Sequence, residues 1–371
     1  MSIYIHEKEN WTDFTWDNKK VMIKLGEARN KQGRLLGKME SLGFEQQNEA
    51  VLNTLTLDVI KSSEIEGEIL ELQQVRSSIA RRLGIDIVKA VDSDRHVDGI
   101  VEMMLDATQR YDTPLTKDRL FGWHAVLFPT GWSRLYKITV GDWRKDTTGP
   151  LQVVSGPIGK EKVHFQAPGS DRIADEMERF LDWFENEQET DLVIKAAVAH
   201  LWFVTIHPFE DGNGRIARAI TDMLLARSDK STKRFYSMSS QIRIERKKYY
   251  EKLELTQKGD SDITEWVLWF LECLIHAIES TEEILSSILN KAEFWKAHSS
   301  TIFNERQQKI INRMLDGFDG KLTTSKWAKI NKCSQDTALR DIQDLIKKDI
   351  LQKEASGGRS TSYTLKSIVA K

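Results

Sequence analysis

Six prolines in 371 residues leave long stretches in which nothing obliges a helix to stop. Apolar residues recur through those stretches at helical spacing, and the two features together point to a mostly α architecture. Asn48 to Leu83 reads as helix on Val51, Leu55, Leu57, Val59 and Ile60, with a break expected at Glu66–Gly67. Further helices are expected over Arg95–Thr108, Thr116–Phe128, Asp171–Asn186 and Asp191–Thr205, and again from Arg215. The last helices of the body end near Lys296. One stretch departs from this pattern. Tyr136–Pro168 is punctuated by Gly141, Gly149, Pro150, Gly156, Pro157 and Gly159, and Gln152–Val153–Val154 faces Val163–His164–Phe165 across a loop of intermediate length. That is a hairpin signal.

Charge is uneven along the chain. Arg306–Lys371 carries 14 Lys+Arg against 7 Asp+Glu, while the remainder carries 40 against 49. A basic C-terminal module on an acidic body suggests different partners for the two parts, and the overall charge of -2 excludes a uniformly basic nucleic-acid coat. Within the tail, Glu305–Leu315 reads as helix, Leu322–Thr323 opens a short helix over Ser325–Ile330, and Ser334 can cap Gln335–Lys347. Short strands at Ile350–Lys353 and Thr361–Leu365 around Gly357–Gly358 complete the order of a winged helix. Two cysteines, Cys273 and Cys333, exclude a disulfide framework and fit a reducing compartment. Met1–Asn10 has no apolar run, so no secretory signal is expected, and Trp266–Ile278 is too short to span a bilayer. A cytoplasmic protein without a membrane partner is the expectation.

The segment His207-Pro-Phe-Glu-Asp-Gly-Asn-Gly-Arg-Ile-Ala-Arg218 carries the chemistry. Pro208 forces the chain out of the preceding apolar helix, two glycines make a tight loop, and Arg215 starts a new helix. Successive N–H groups in such a loop can point into one concavity, and beside a helix N-terminus that nest binds phosphates. Arg215 and Arg218, one helical turn apart, can face the same anion. Asp211 offers a hard oxygen ligand suited to Mg²⁺ on a nucleotide. His207, with an unperturbed pKa of ~6.5, can act as a general base. Asp-Gly and Asn-Gly alone are ordinary turn signals. A structural turn needs none of the base, carboxylate and paired arginines around them.

His207–Arg218 resembles the Fic signature HxFx(D/E)GNGRxxR at all eight of its specified positions. The resemblance implies a mostly α, Fic-fold core that transfers AMP from ATP, with Mg²⁺, to a hydroxyl side chain of a target protein. It implies that His207 deprotonates the hydroxyl, Asp211 holds the metal, Gly212, Asn213 and Gly214 form the anion hole, and Arg215 and Arg218 contact phosphates. Gly214, where the phosphate-transferring branch has Lys, favours AMP transfer. Gln152, Val153, Val154, Val163, His164 and Phe165 resemble the flap that docks the target as an added strand. Tyr249 and Tyr250 resemble the tyrosines near the nucleotide base.

Ser62-Ser-Glu-Ile-Glu66-Gly67 fits the inhibitory pattern (S/T)xxxE(G/N), which implies that Glu66 pairs with Arg218 and fills the space of the ATP γ-phosphate. Glu64 and Glu68 lie outside that frame. The expected division is an N-terminal helical module over 1–100 carrying the inhibitory helix, the Fic core over 101–296, and a winged helix over 300–371 of the type often appended to bacterial Fic proteins. Arg340, Lys347 and Lys348 of the winged helix could meet DNA, whereas Asp336, Asp341 and Asp344 count against it and leave a protein partner as the alternative. Two other readings stay open: AMP removal with Glu66 orienting a water, and a transcription regulator whose core senses nucleotide. The sequence names neither the target nor the oligomeric state, and a homodimer stays open.

Overall fold

A computed structural model of the protein describes residues 4–366, except positions 88, 134, 147–148, 158–159, 161, 316–317, 319 and 355–360. For 283–293 it describes the backbone alone. Gly159, Gly357 and Gly358, expected in the two hairpin loops, lie outside the described residues. The chain divides into two compact units, Met1–Thr281 and Glu282–Lys371.

The first unit is built from helices in the order α1 (Asn18–Glu40), α2 (Phe44–Ile65), α3 (Leu72–Leu83), α4 (Arg95–Gln109) and α5 (Lys117–Leu127). A small hairpin, β1 (Trp132–Ser133) and β2 (Tyr136–Lys137), precedes a longer one, β3 (Gln152–Ser155) and β4 (Lys162–Gln166). Then come α6 (Ile173–Asn186), α7 (Leu192–Ile206), α8 (Asn213–Asp229), α9 (Met238–Ile244), α10 (Arg246–Gln257) and α11 (Thr264–Ala297). Local chemistry sets the starts. Asp17, Asp94, Thr116 and Asp191 each accept a hydrogen bond from a first-turn N–H of the helix they precede.

The core forms around α7 and α8, which pack more extensively on each other than any other pair of elements. Every α7 residue from Val193 to Ile206 is buried, so this helix has no polar face and must lie inside the bundle. The helical stretch read over Asn48–Leu83 breaks at Glu66–Gly67, as expected, into α2 and α3. Gly67, at φ 81°, supplies the left-handed residue that the turn requires. α2 is fixed from beneath: Asp58 accepts hydrogen bonds from Ser237 Oγ at 2.5 Å and Ser239 N at 3.3 Å at the start of α9. Burial and the neighbouring Asp222 raise the pKa of Asp58. This contact sets where the turn after α2 meets α8. α1 and the β1–β2 hairpin were not legible in the sequence.

β3 and β4 pair antiparallel, Gln152 with Gln166 and Val153 with Phe165, with a bulge before Val154 meets Val163. Phe165 is buried against Tyr4, with ring centroids 5.2 Å apart and nearly perpendicular.

The second unit holds α12 (Glu305–Leu315), β5 (Leu322–Thr323), α13 (Thr324–Asn331), α14 (Gln335–Lys347), β6 (Leu351–Lys353) and β7 (Ser362–Leu365). Its sheet order is β5-β7-β6, antiparallel throughout. Ile310, Trp327, Ile342, Leu351 and Tyr363 share one core, and Ser334 caps α14 by accepting from Thr337 N at 3.2 Å. Leu322–Thr323, read as the opening of a helix, is a strand, and Thr323 then caps α13. Among the described residues no helix is long and apolar enough to cross a membrane.

Candidate functional site

α7 stops at His207, whose φ of 52° and ψ of 59° are left-handed. Pro208 cannot extend the helix, and the loop that follows is braced by Asn213. The Asn213 carboxamide accepts from Phe209 N at 3.0 Å and donates to Phe209 O at 2.7 Å. Asn213 therefore spends its side chain on the loop, and only its backbone is available to an anion. Gly212 has φ 85°, and a Cβ there would lie 2.9 Å from Phe128 Cε2, so the position demands glycine. No side chain caps α8, which leaves its first-turn N–H groups facing the loop.

Both motif arginines are buried against this loop, Arg215 at 4% and Arg218 at 1% exposure. Arg218 donates from Nε to Ser62 Oγ at 2.8 Å, and from Nη2 to Ser62 O at 2.9 Å and Glu66 Oε1 at 2.7 Å. Arg215 Nη1 donates to Glu68 Oε2 at 2.9 Å, and its guanidinium lies 5.0 Å from the centre of the Phe128 ring. Arg218 Nη1 and Arg215 Nε are buried without a hydrogen-bond partner. Two oriented donors with nothing to bond are expensive unless an anion completes them.

The structure thus brings Ser62, Glu66, Asp211, Gly214 and both arginines together. Glu68, expected outside the inhibitory frame, is itself engaged with the other motif arginine. It also accepts from His96 Nε2, which raises the His96 pKa. Glu64 turns away, to Lys61 at 2.8 Å and Arg243 at 3.3 Å. The turn after α2 places one carboxylate on each guanidinium.

His207 Nδ1 lies 3.1 Å from Val204 O, so its proton sits on Nδ1 and the Nε2 lone pair is left for a substrate. Burial pushes its pKa down to about 4, which keeps the ring neutral at pH 7. Asp211 Oδ1 accepts from Gly212 N at 2.5 Å, and Oδ2 accepts from the Ser133 hydroxyl. His124 donates from Nε2 to Asp211 O at 3.2 Å and stacks on Phe209 with centroids 4.2 Å apart. Burial lowers the His124 pKa to about 4 as well.

Tyr249 is buried with its hydroxyl 2.9 Å from His200 Nε2, whereas Tyr250 is 37% exposed under Arg246. Of the two tyrosines only Tyr250 offers a ring to a ligand. In the flap, Val154 and Val163 are exposed, His164 bonds Glu254 at 2.6 Å, and Phe165 faces inward. Gln152 bonds Gln166 at 3.0 Å across the hairpin, and Val153 is half-buried. Sequence reasoning missed Ser133, His124, Arg144, His96 and the Glu68 contact. Each is a single residue distant in sequence from the motif, with no periodicity to mark it.

Residues 114–225 match the Fic/DOC family, and residues 4–85 match a domain of unknown function, DUF4172. Over 215 residues, 56% of this chain, the sequence is 31% identical to the protein adenylyltransferase Fic of Drosophila melanogaster. Over 213 residues, again 56%, it is 29% identical to that of Drosophila willistoni. The chain spans 38% of the length of each of these relatives. The fold is similar to that of a Fic family protein from Desulfovibrio desulfuricans G20, with TM-score 0.54 and 20% identity over 96% of this chain and 99% of that one. A Fic domain containing signaling protein from Bacteroides thetaiotaomicron VPI-5482 aligns at TM-score 0.51 and 19% identity, over 69% of this chain and 96% of that one. Signature loop and matched domain agree: residues 114–225 of this chain match the Fic/DOC family and contain the whole signature loop.

Proposed function

We propose that the chain transfers AMP from ATP to a Ser, Thr or Tyr hydroxyl of a target protein and is held in check by the turn after α2. The observation that carries this reading is the convergence on one loop of a neutral His207 with Nε2 free, the Asp211 carboxylate, and two buried arginines with unpartnered N–H groups. The relatives named protein adenylyltransferase Fic support the same chemistry.

His207 Nε2 takes the proton of the acceptor hydroxyl as its oxygen attacks the α-phosphorus in line. The new O–Pα bond forms, the Pα–O–Pβ bond breaks, and pyrophosphate leaves. Arg215, Arg218 and the α8 N–H groups hold the phosphates, so positioning and charge neutralisation supply most of the acceleration. Asp211 is a single hard carboxylate at the edge of the nest, which fits Mg²⁺ held mainly by nucleotide phosphates. When bound, the ion offsets phosphate charge. The exposed edge of the β3–β4 flap would align the target segment as an added strand. Glu66 on Arg218 occupies the place of the terminal phosphate.

In this reading residues 1–100 regulate, 101–296 catalyse, and 300–371 recognise a partner as a winged helix. On α14, Asp341 is turned inward to Arg306 at 2.7 Å, half-exposed Asp344 pairs with Lys348 at 2.6 Å, and Asp336, Arg340 and Lys347 face outward. Asp341 is thereby withdrawn from a DNA-facing surface, while Lys348 is neutralised by Asp344.

Incubation with ATP labelled at the α-phosphate, with Mg²⁺ and followed by mass spectrometry, tests the function. Protein gaining one AMP is the expected result. Release of AMP from a modified target would favour AMP removal with Glu66 orienting a water. Neither result, together with operator binding, would favour a nucleotide-sensing regulator.

A further inference from the structure

His207 is a non-glycine residue in left-handed backbone, which is unfavourable for a side chain with a Cβ. Such a conformation persists only where the surroundings over-determine it. Two of its restraints are local: its N–H donates to Phe203 O at 3.0 Å, and Nδ1 faces Val204 O. Both would be satisfied by any helix end of this shape. The third comes from far away in sequence.

Arg144 is 2% exposed and extends under the loop. Its Nε donates to His207 O at 2.8 Å, and its backbone N–H donates to Pro208 O at 2.9 Å. Its Nη2 donates to Pro168 O, directly after the flap, and Nη1 pairs with Asp146. Asp146 Oδ2 in turn accepts from Ser170 N at 2.7 Å, closing the circuit back to the segment that follows the flap. Trp143 seats this segment by packing on Phe121 at 4.5 Å and Phe209 at 5.3 Å. One planar guanidinium therefore joins the carbonyl of the base, the exit of the flap and a carboxylate. Lysine has three donors on a point charge and cannot reproduce the fork.

We propose that Arg144 is a positioning residue, registering the His207 base against the flap that presents the acceptor hydroxyl. The proposal rests on reading His207 as the base. It explains why a buried charge is kept where a hydrophobic residue would pack at less cost. The charged groups facing the His207 ring are Arg144, Glu66 and Asp211.

The test uses the full chain with Arg144→Lys and Arg144→Gln, and Asp146→Asn as the milder variant that leaves the guanidinium but frees its anchor. Ring ¹⁵N spectra, assigned with His207→Ala, should show a single Nδ1–H tautomer for His207 in the parent and a mixture in the variants. His200, on the same helix, should stay unchanged. In a Glu66→Gly background, ATP affinity should stay within about twofold, while kcat falls about 10²-fold, as a displacement near 1 Å would give. A His207 ring unaltered in all three variants overturns the proposal, and so does a His200 signal that moves with it, since that reports loosening of α7 as a whole. A parent that transfers no AMP would sink the functional reading, while the spectra still decide the role of Arg144.

Discussion

The Glu66 carboxylate fills the space that a side chain at position 214 would take: a Cβ built on Gly214 falls far inside contact distance of Glu66 Oε1 and lies 3.2 Å from Arg218 Nη1. Glycine at 214 is thus part of the seat for the carboxylate. Gly214→Ala should push the flexible end of Glu66 off Arg218, losing a contact of about 1.5–3 kcal/mol that the helix propensity of Ala partly offsets. In a Glu66→Gly background most of that cost should vanish, because the colliding atom is gone. Urea unfolding of the parent, both single variants and the double variant measures the coupling. Additive effects would show that the two residues do not compete for one space.

Glu66→Gly should raise AMP transfer about tenfold to a hundredfold. A charge-assisted hydrogen bond of about 1.5–3 kcal/mol is removed from the terminal-phosphate place. ADP affinity should change much less. Glu68→Gln should also raise transfer, by a smaller factor because Glu68 is partly exposed and shared with His96, and the double variant should exceed either. Glu64→Gln, engaged with Lys61 and Arg243, is the control. Equal gains from all three would point to general loosening of α2.

Acid should weaken the fold through its buried histidines. His207 and His124 have pKa values near 4 and His200 near 3, each held down mainly by burial. Between about pH 6.5 and these values the unfolded chain binds the protons and the folded chain does not, so stability falls as pH drops. His96, raised by Glu68, acts in the opposite sense. From pH 7 to pH 5.5 the loss should be roughly 1 kcal/mol per buried histidine. A urea midpoint that stays level across that range would contradict the burial argument.

The nest was legible because its chemistry is contiguous: His207, Asp211, Gly214 and the arginines lie within one short run. Long helices were legible for the same reason, since periodicity is local. The Glu66–Arg218 pair was reachable only through a resemblance, because 152 positions separate its partners. Glu68 lies outside the inhibitory frame, and its contact with Arg215 was not legible because it arises only when the turn at Gly67 swings the next carboxylate round. Arg144 carries no signal at all in sequence. Its meaning arises when Trp143 packs on Phe209 and brings it beneath His207.

Asp211→Asn should abolish Mg²⁺-dependent tightening of ATP binding while leaving metal-free binding near the parent value. The nest and both arginines are intact in that variant. Isothermal titration with and without EDTA reads this directly. Equal Mg²⁺ enhancement in parent and variant would remove Asp211 from the metal site.

His207→Ala, made in the Glu66→Gly background so that transfer is measurable, should reduce kcat by ~10²–10⁴-fold, the usual loss when a general base is removed. ATP affinity should hold, because no phosphate contact is assigned to His207. The pH profile adds an independent check. With its pKa near 4, His207 is already unprotonated at neutral pH, so kcat/KM should stay level as pH falls from 7 toward 5. It should decline only when the ring begins to take up a proton. A base with an ordinary histidine pKa would instead lose most of its activity between pH 7 and 5.5. Because kcat/KM reports the free enzyme, a limb in that higher range would contradict the burial argument for His207. A profile shared by parent and His207→Ala would assign proton removal to another group.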